Sequence, residues 1–262
     1  MNLLNTSLDF IRHRFSSKTR HGVHSPFVYS LIDKCVYSSN PKPAKELIRL
    51  FDKMKSSDRL LTGMDYGQKQ ETSVSVSHYA KRSSMPDFQV RLLHRLVSYF
   101  KPDSILELGT NLGKSLAAMA SASPESKAIG VEGNSSIAQF ANKNIKQLGL
   151  VNAGVTCDSF DSFLEKNQNS FDLIFLDDDH HYEPTMRYFK AIKEVLNDGG
   201  VIVLHDLYYS EGMKQAWAEI KKDRNVTITI DLFFFGLVWI DKSQAKEDFS
   251  IQFPSSLFSV FF

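Results

Sequence analysis

The chain is predicted to be an α/β protein with a mostly parallel sheet, an N-terminal helical extension and a C-terminal antiparallel hairpin. From residue 104 onward, short apolar runs alternate with amphipathic stretches of helical length, a pattern typical of a parallel sheet covered by helices. Two β-rich runs near the end, Val226–Leu232 and Leu237–Asp241, are joined only by Phe233–Gly236. So short a connection can make a hairpin but not a parallel crossover.

The composition indicates a globular protein of 262 residues, with 42% hydrophobic and 23% charged residues. Its 31 Lys and Arg against 30 Asp and Glu give a net charge of +1, so overall charge favours neither nucleic acid nor an anionic membrane as a partner. The two cysteines, Cys35 and Cys157, cannot build a disulfide framework. Because neither a secretory signal nor a membrane-length apolar stretch is found, we expect a cytoplasmic location.

Residues 1–88 are predicted to form the helical extension, followed by a main domain at 89–241 and a tail at 242–262. Helices in the extension are expected at Leu3–Phe15, Pro26–Tyr37 and Ala44–Lys55. Residues 1–24 hold four Lys or Arg against one Asp, which is either a solvated basic loop or a lid or dimer arm that meets an anionic substrate. The polar stretch Ser56–Ser84 is expected to be a mobile loop with a short strand or helical turn.

The main domain is expected to begin with a helix at Pro86–Phe100. Parallel strands are predicted at Ser104–Leu108, Ala128–Glu132, Gly154–Cys157, Leu173–Asp177 and Val201–His205. Helices are predicted at Gly113–Ser123, Ser136–Leu148, Phe160–Gln168, Pro184–Leu196 and Glu211–Asp223. With the hairpin, these five parallel strands make an expected sheet of seven.

The most informative segment is the strand, glycine loop and helix start at Ile105–Ser115. Glu107 precedes a loop with glycines at Gly109 and Gly113, and glycine lets backbone approach a ligand closely. The N–H groups at the following helix start favour an anionic group. An acid, two glycines and a helix start suit a molecule with an ammonium or hydroxyl groups and a carboxylate, such as S-adenosylmethionine. The glycine spacing differs from the dinucleotide fingerprint Gly-x-Gly-x-x-Gly.

Ligands of open α/β sheets bind outside the carboxyl ends of the strands, so the residues there are the candidate site. The second strand ends in Glu132, which can accept both hydroxyls of a ribose or can be an ordinary surface acid. The third ends before Asp158-Ser159, which can contact an adenine or cap the helix at Phe160, two compatible roles. These positions extend the candidate cofactor site along the sheet edge.

The fourth and fifth strands end in acidic and imidazole side chains. Asp177-Asp178-Asp179-His180-His181 follows the fourth, and His205-Asp206 ends the fifth. Consecutive carboxylates repel one another, and a hard divalent cation would relieve the repulsion. Asp177, His205 and Asp206 are therefore candidate ligands for Mg²⁺, Mn²⁺ or Fe²⁺. A metal-free cluster that contacts the substrate directly explains the same residues equally well.

Over Phe88–Asp241 the chain resembles the class I S-adenosylmethionine-dependent methyltransferases, closest to the catechol and caffeoyl-CoA type of O-methyltransferase and its bacterial relatives. The resemblance implies their Rossmann-like fold. It rests on Glu107–Ser115 as the family's first motif and on Asp177 as its first metal aspartate. The implied cofactor residues are Glu107, Gly109, Thr110, Asn111, Gly113, Ser115, Glu132, Gly133, Asn134, Asp158, Ser159 and Asp177.

Two departures from the family pattern concern the chemistry. The family's second metal pair is Asp-Asn, whereas this chain has His205-Asp206 after Gly199-Gly200. The family's catalytic lysine lies three residues after the first metal aspartate, where this chain has His180. His180 is therefore the candidate base and Asp177 its candidate catalytic partner. His181 is an alternative base or a cap of the helix that follows.

The leading hypothesis is S-adenosylmethionine-dependent methylation of a small-molecule hydroxyl, with a divalent cation as an open possibility. The alternatives are a metal-independent methyltransferase acting on a sugar or amine, and a non-catalytic protein that keeps the cofactor fold and binds a partner. We expect a small-molecule acceptor, no nucleic acid and no membrane, with a homodimer as one use of the N-terminal region.

Overall fold

The structure is a computed structural model that describes residues 3–177, 180–240 and 245–252. Two compact units are distinguished, and we describe each by itself. The central unit comprises residues 41–177, and the terminal unit comprises residues 1–40 together with residues 178–262. None of the described helices combines the length and apolarity needed to cross a membrane.

The helices are α1 Leu3–Ser16, α2 Pro26–Leu31, α3 Lys45–Met54, α4 Val76–Arg82, α5 Asp87–Phe100, α6 Lys114–Ala122, α7 Ser135–Gln147, α8 Phe160–Lys166, α9 Tyr182–Lys193 and α10 Glu211–Ile220. The strands are β1 Leu60–Asp65, β2 Gln70–Ser75, β3 Ser104–Leu108, β4 Lys127–Glu132, β5 Ala153–Cys157, β6 Phe171–Leu176, β7 Leu196–His205, β8 Ile228–Asp231, β9 Phe235–Trp239 and β10 Glu247–Ser250.

Four parallel strands of the central unit lie in the order β6-β3-β4-β5. Ile105, Leu106 and Leu108 of β3 are fully buried, as expected for a strand covered on both faces. The carboxylate of Asp172 accepts hydrogen bonds from the backbone N–H and the hydroxyl of Ser104, both at 2.9 Å. This contact sets the register in which β3 and β6 bring their carboxyl ends to the same edge.

Helices α5 and α6 pack against each other beside these strands. The residues Val90, Leu93, Leu96 and Val97 place one apolar face of α5 in the core. The helix ends at Lys101, whose φ of 49° is left-handed, and Pro102 prevents its continuation. In α6 every residue from Lys114 to Ala120 is buried, so its small side chains allow close packing.

The stretch 56–84 differs from the expected loop, because it forms a β-hairpin followed by a helix. Strands β1 and β2 pair from Leu60 opposite Ser75 to Asp65 opposite Gln70, and the Ser75 hydroxyl then caps α4. The alternation of Thr72–Ser77 was the sequence signal for a strand, but its small polar side chains resemble those of loops. The N-terminal extension therefore contains sheet as well as helix.

The terminal unit has strands in the order β10-β8-β9-β7. Strand β9 is antiparallel to both β7 and β8, so the predicted C-terminal hairpin is confirmed as β8–β9. Strand β10 adds a parallel partner to β8, within a stretch expected to be only a tail. Backbone hydrogen bonds join Lys18, just after α1, to Ser250 and Gln252, so the two ends of the chain meet in this unit.

Most predicted elements are confirmed within one or two residues, but several boundaries are corrected. The helix predicted at Glu211–Asp223 ends at Ile220. Helix α9 ends at Lys193 and β7 begins at Leu196, so Gly199-Gly200 lies within the strand. Helix α2 ends at Leu31, and Ile32–Val36 continues as a π-helical turn. Strand β9 spans Phe235–Trp239, and the predicted strand end at Asp241 lies outside the described residues.

Close packing of the β1–β2 hairpin against the start of α7, within the central unit, generates the first prediction. A Cβ added at Gly63 would lie 2.6 Å from the Ser135 hydroxyl and 2.9 Å from the Ser136 backbone N, whereas one added at Gly154 would meet nothing within 4 Å. Gly63→Ala should therefore lower the free energy of unfolding by about 1–3 kcal/mol. Gly154→Ala, the matched control, should not lower it. Urea denaturation measures both, and equal effects would contradict the tight docking.

Candidate functional site

The loop after β3 has a backbone shape that requires glycine. Gly109 has φ 98°, and a Cβ there would lie 1.9 Å from the carbonyl oxygen of Asp177. The N–H groups of Gly109 and Thr110 both donate to the Val131 carbonyl, at 3.0 and 3.2 Å. Gly113 has φ 87° and stands at the N-terminus of α6. The predicted glycine loop is therefore held against β4 in one conformation that excludes larger residues.

Glu107 lies directly before this loop and is completely buried. Neither carboxylate oxygen has a hydrogen-bond partner among the described residues. Burial raises the pKa of Glu107 to about 8, although the hydroxyls of Ser115 and Thr110 lie near enough to offset part of the rise. A buried acid without a partner is costly, so packing alone does not account for Glu107 at this position.

The helix that starts at Gly113 lacks a side-chain cap. Gly113 has no side chain to accept from the first N–H groups of α6. By contrast, Asn134 accepts from Ser136 and Ile137 at the start of α7, and Ser159 accepts from Ser162 at the start of α8. Of these three helix starts, only that of α6 leaves its N–H groups for an external anion.

Glu132 ties the glycine loop to the end of β4. Its carboxylate accepts from the backbone N–H of Asn111 at 2.8 Å and from that of Asn134 at 2.9 Å. Burial raises the pKa of Glu132, these N–H groups offset part of the rise, and the nearby Asp65 carboxylate adds to it. The structure therefore brings Glu132, Asn111 and Asn134 together, as the sequence predicts.

The turn of the β1–β2 hairpin lies against Gly133, just after β4. Sequence reasoning missed this contact. Tyr66 N–H donates to the Gly133 carbonyl at 2.8 Å, and a Cβ added to Gly133 would lie 3.4 Å from both Gly67 N and the Asp65 carboxylate. The Asn134 side chain donates to the Thr72 hydroxyl at 2.6 Å. Gly133 and Asn134 therefore hold the hairpin, in addition to any ligand.

Asp158 and Ser159 form the start of α8, so the capping interpretation is confirmed for these residues. Asp158 accepts from Ser159 N–H at 2.8 Å and from the Ser162 hydroxyl at 3.1 Å, and Lys166 lies 3.3 Å away. The Ser159 hydroxyl accepts from Ser162 N–H at 3.2 Å. Contact with an adenine stays a prediction, and it is compatible with these bonds.

A small cavity lies beside the glycine loop, lined by Gly109–Leu112, Lys114-Ser115, Asp177 and the segment Ser83–Met85. Lys114 holds that segment in place, because its ammonium donates to the Met85 carbonyl at 2.8 Å and to Asp87 at 2.7 Å. No motif in the sequence indicated that Ser83–Met85 would lie here. The side chain of Lys114 is therefore directed toward α5.

In the terminal unit, His180, His205 and Asp206 form one cluster. The Asp206 carboxylate lies 3.9 Å from His180 Nε2 and 3.5 Å from His205 Nε2. The ring of Tyr209 lies 4.8 Å from that of His180, and Ser210 donates to the His180 carbonyl at 2.5 Å. This places a carboxylate beside the candidate base, an arrangement that can hold an imidazolium.

Several predicted roles remain predictions. Asp177 ends the central unit, where its N–H donates to the Leu108 carbonyl at 2.9 Å. Metal ligation by Asp177, His205 and Asp206 stays a prediction, and Asp178 and Asp179 lie outside the described residues. His181 is the N-cap residue of α9, but its side chain makes no capping hydrogen bond, so the structural cap proposed for it is not formed.

The sequence matches a family described as "Methyltransferase domain" over residues 106–207. One relative, a tRNA (guanine-N(7)-)-methyltransferase of Mycoplasmopsis pulmonis, is 30% identical over 111 residues, which are 39% of this chain and 55% of the relative. Another, a catechol O-methyltransferase of Niastella koreensis, is 28% identical over 148 residues, which are 52% of this chain and 66% of the relative. The chain thus spans less than two thirds of either relative.

A solved structure similar to this one is that of the SAH-bound methyltransferase PaMTH1 of Podospora anserina. The TM-score is 0.62 at 13% sequence identity, and the match covers 84% of this chain and 97% of the other. The likeness concerns the fold, which the two proteins share despite their low identity.

The pKa of Glu107 predicts a pH-dependent stability. Because that pKa is raised from 4.5 to about 8 in the folded protein, the folded state retains a proton that the unfolded state releases. Stability attributable to Glu107 is therefore greatest below pH 4.5, falls as the pH rises to about 8, and is constant above.

Glu107→Gln has no carboxyl group to ionise, so it does not show this loss of stability. The free energy of unfolding of the variant, relative to wild type, should therefore increase between pH 5 and pH 9. At about 1.4 kcal/mol per pKa unit, the gain amounts to a few kcal/mol. Chemical denaturation at several pH values measures it, with exposed Glu125→Gln as the control. Parallel stability curves for wild type and Glu107→Gln would contradict the assignment.

Proposed function

We propose that this chain is a class I S-adenosylmethionine-dependent methyltransferase that methylates the hydroxyl group of a small molecule. Support comes first from the buried Glu107 carboxylate, whose oxygens have no hydrogen-bond partner among the described residues. An ammonium group would satisfy that carboxylate, and a carboxylate would satisfy the uncapped start of α6. The amino-acid end of S-adenosylmethionine carries both groups.

The remaining cofactor residues are assigned by their position at the strand ends. Glu132 would accept the ribose hydroxyls, and Asp158-Ser159 would contact the adenine. Asn111 is held in a left-handed conformation, with φ 49°, by its hydrogen bond to Glu132. The loop is therefore preorganised before any ligand binds. When bound, S-adenosylmethionine supplies an activated methyl group on its sulfonium.

The acceptor side is assigned to the cluster of His180, His205 and Asp206. We propose that His180 accepts the proton of the acceptor hydroxyl, and that the Asp206 carboxylate at 3.9 Å stabilises the imidazolium that forms. The buried ring of His205 fixes the other side of Asp206. The Tyr209 ring restricts His180 to one orientation and contributes an aromatic face to the cluster.

A small hydroxyl compound is favoured over RNA, although one relative is named as a tRNA methyltransferase. Binding of RNA depends on a strongly basic surface, whereas this chain has a net charge of +1. A catechol is the natural first probe, because the other relative is named for that acceptor.

A second candidate is a metal-independent methyltransferase that acts on a sugar or an amine. The observation that favours it is the pairing of Asp206 with both imidazoles, since a carboxylate already paired in this way needs no cation to relieve repulsion. The two candidates differ in whether Asp177, His205 and Asp206 hold a divalent ion.

Calorimetric titration with S-adenosylhomocysteine tests the cofactor proposal. Wild type should bind, Glu132→Gln should bind about 10- to 100-fold more weakly because charged hydrogen bonds are lost, and exposed Glu125→Gln should match wild type. Gly109→Ala should not bind, since its Cβ would overlap the Asp177 carbonyl. Absence of binding by wild type would contradict the proposed function.

Chelation distinguishes the two candidates. If a cation takes part, methyl transfer to a catechol should be lost with a chelator and restored by Mg²⁺ or Mn²⁺, and His205→Ala should lose the bound metal in elemental analysis. Transfer that persists in the chelator, with no metal detected, would select the metal-independent candidate. Sugars and amines would then be the acceptors to assay.

A further inference from the structure

The carboxylate of Asp231, at the end of β8, has four hydrogen-bond partners. His13 Nε2 lies 2.9 Å from one oxygen, and Phe233 N–H donates to the same oxygen at 2.9 Å. The Tyr208 hydroxyl at 2.8 Å and Trp217 Nε1 at 3.1 Å donate to the other. Asp231 and His13 are each only 5% exposed, so this is a buried network with a charged centre.

His13 brings helix α1 into this network. Its second ring nitrogen lies 3.1 Å from the Ser17 hydroxyl, and Ser250 of β10 lies 3.1 Å from Nε2. A second, partly buried link holds the same helix, because Lys214 of α10 donates to Asp9 at 2.7 Å. The N-terminal helix is therefore built into the terminal unit by polar contacts, which demand a defined geometry that apolar packing does not.

The network joins two turns with strained backbones. Asp206, next to His205, has φ 54°, and Phe233, after β8, has φ 67°. The two turns are fastened together by Asp206 N–H donating to the Phe234 carbonyl at 2.8 Å. The rings of Tyr208 and Phe233 also stack at 4.6 Å with an interplanar angle of 10°. Left-handed conformations of this kind persist only where surrounding contacts hold them.

Stability alone does not explain such a centre. A buried carboxylate with polar partners is a poor source of stability compared with apolar packing, so its presence points to a required geometry. Burial acts to raise the pKa of Asp231, but the hydrogen bond and charge of His13 lead the contributions that outweigh it, and the pKa lies below its ordinary value. The carboxylate is thus held ionised as an acceptor for the donors of both turns.

We propose that His13 is a positioning residue, which acts through Asp231 and Tyr208 to fix the turn that holds Asp206 beside His180. Helix α1 then contributes to the geometry of the acceptor side. The proposal assigns the N-terminal segment a positioning role within this chain. It rests on the proposed function only because that function assigns the acceptor side to His180, His205 and Asp206. None of these network residues belongs to the predicted cofactor set.

The experiment uses the full chain with four variants. His13→Leu removes the hydrogen bond while keeping a similar volume, and His13→Gln restores an N–H donor to Asp231. Arg12→Leu is the matched control on the same helix, because its side chain is 78% exposed. Tyr208→Phe removes one donor from Asp231 without touching α1, and it serves as the second test if His13→Leu does not fold.

Hydrogen exchange measured by mass spectrometry supplies the local readout. His13→Leu should raise exchange about tenfold in the two turns, residues 205–209 and 232–235, while residues 105–135 stay unchanged. His13→Gln should restore protection, and Arg12→Leu should match wild type. A rise in exchange confined to α1, or spread uniformly over the chain, would overturn the proposal. So would a failure of His13→Gln to restore protection in the two turns.

Two further measurements separate this proposal from the proposed function. S-adenosylhomocysteine affinity of His13→Leu should stay within about twofold of wild type, because no residue of the network belongs to the predicted cofactor set. Its kcat with a catechol should fall about 10- to 100-fold and recover in His13→Gln. Unchanged kcat in His13→Leu would overturn the positioning role. If wild type neither binds nor transfers, the proposed function fails, and the exchange pattern alone still decides whether His13 holds the turns.

Discussion

The carboxylate of Glu132 is the interaction on which the central unit depends. It accepts from Asn111 in the glycine loop and from Asn134 at the start of α7, so one side chain fixes the ends of β3 and β4 together. The β1–β2 hairpin docks beside it, on Gly133 and Asn134 between β4 and α7. Because Glu132 is only partly exposed, these charge-assisted hydrogen bonds are partly shielded from water and hold the loop in place.

The terminal unit contains a similar arrangement, in which a different acid accepts a backbone N–H from a turn. Asp231 holds Phe233 in a left-handed turn, as Glu132 holds Asn111 in the central unit. In both cases a carboxylate accepts a backbone N–H from a residue with positive φ. These hydrogen bonds offset part of the cost of the backbone strain and part of the cost of removing the charge from water.

Glu107 is the exception among the buried carboxylates, since its oxygens have no hydrogen-bond partner among the described residues and its pKa is raised to about 8. An acid in that state destabilises the fold around neutral pH, and the pattern is characteristic of a residue retained for binding. The three acids therefore differ in their contacts: Glu132 and Asp231 hold loops in place through hydrogen bonds, whereas the Glu107 oxygens have no hydrogen-bond partner among the described residues.

The sequence alone determined the alternation of β3–β6 with their helices, the glycine loop and the acids at the strand ends, because these follow from local periodicity and from glycine's conformational freedom. Only the tertiary structure decided which acids are satisfied: nothing local distinguishes Glu107 from Glu132. The hairpin at Leu60–Ser75 and the pairing of His13 with Asp231, 218 residues apart, also needed the fold. Such contacts join segments distant in the chain, and their energy exists only once the core has brought those segments together.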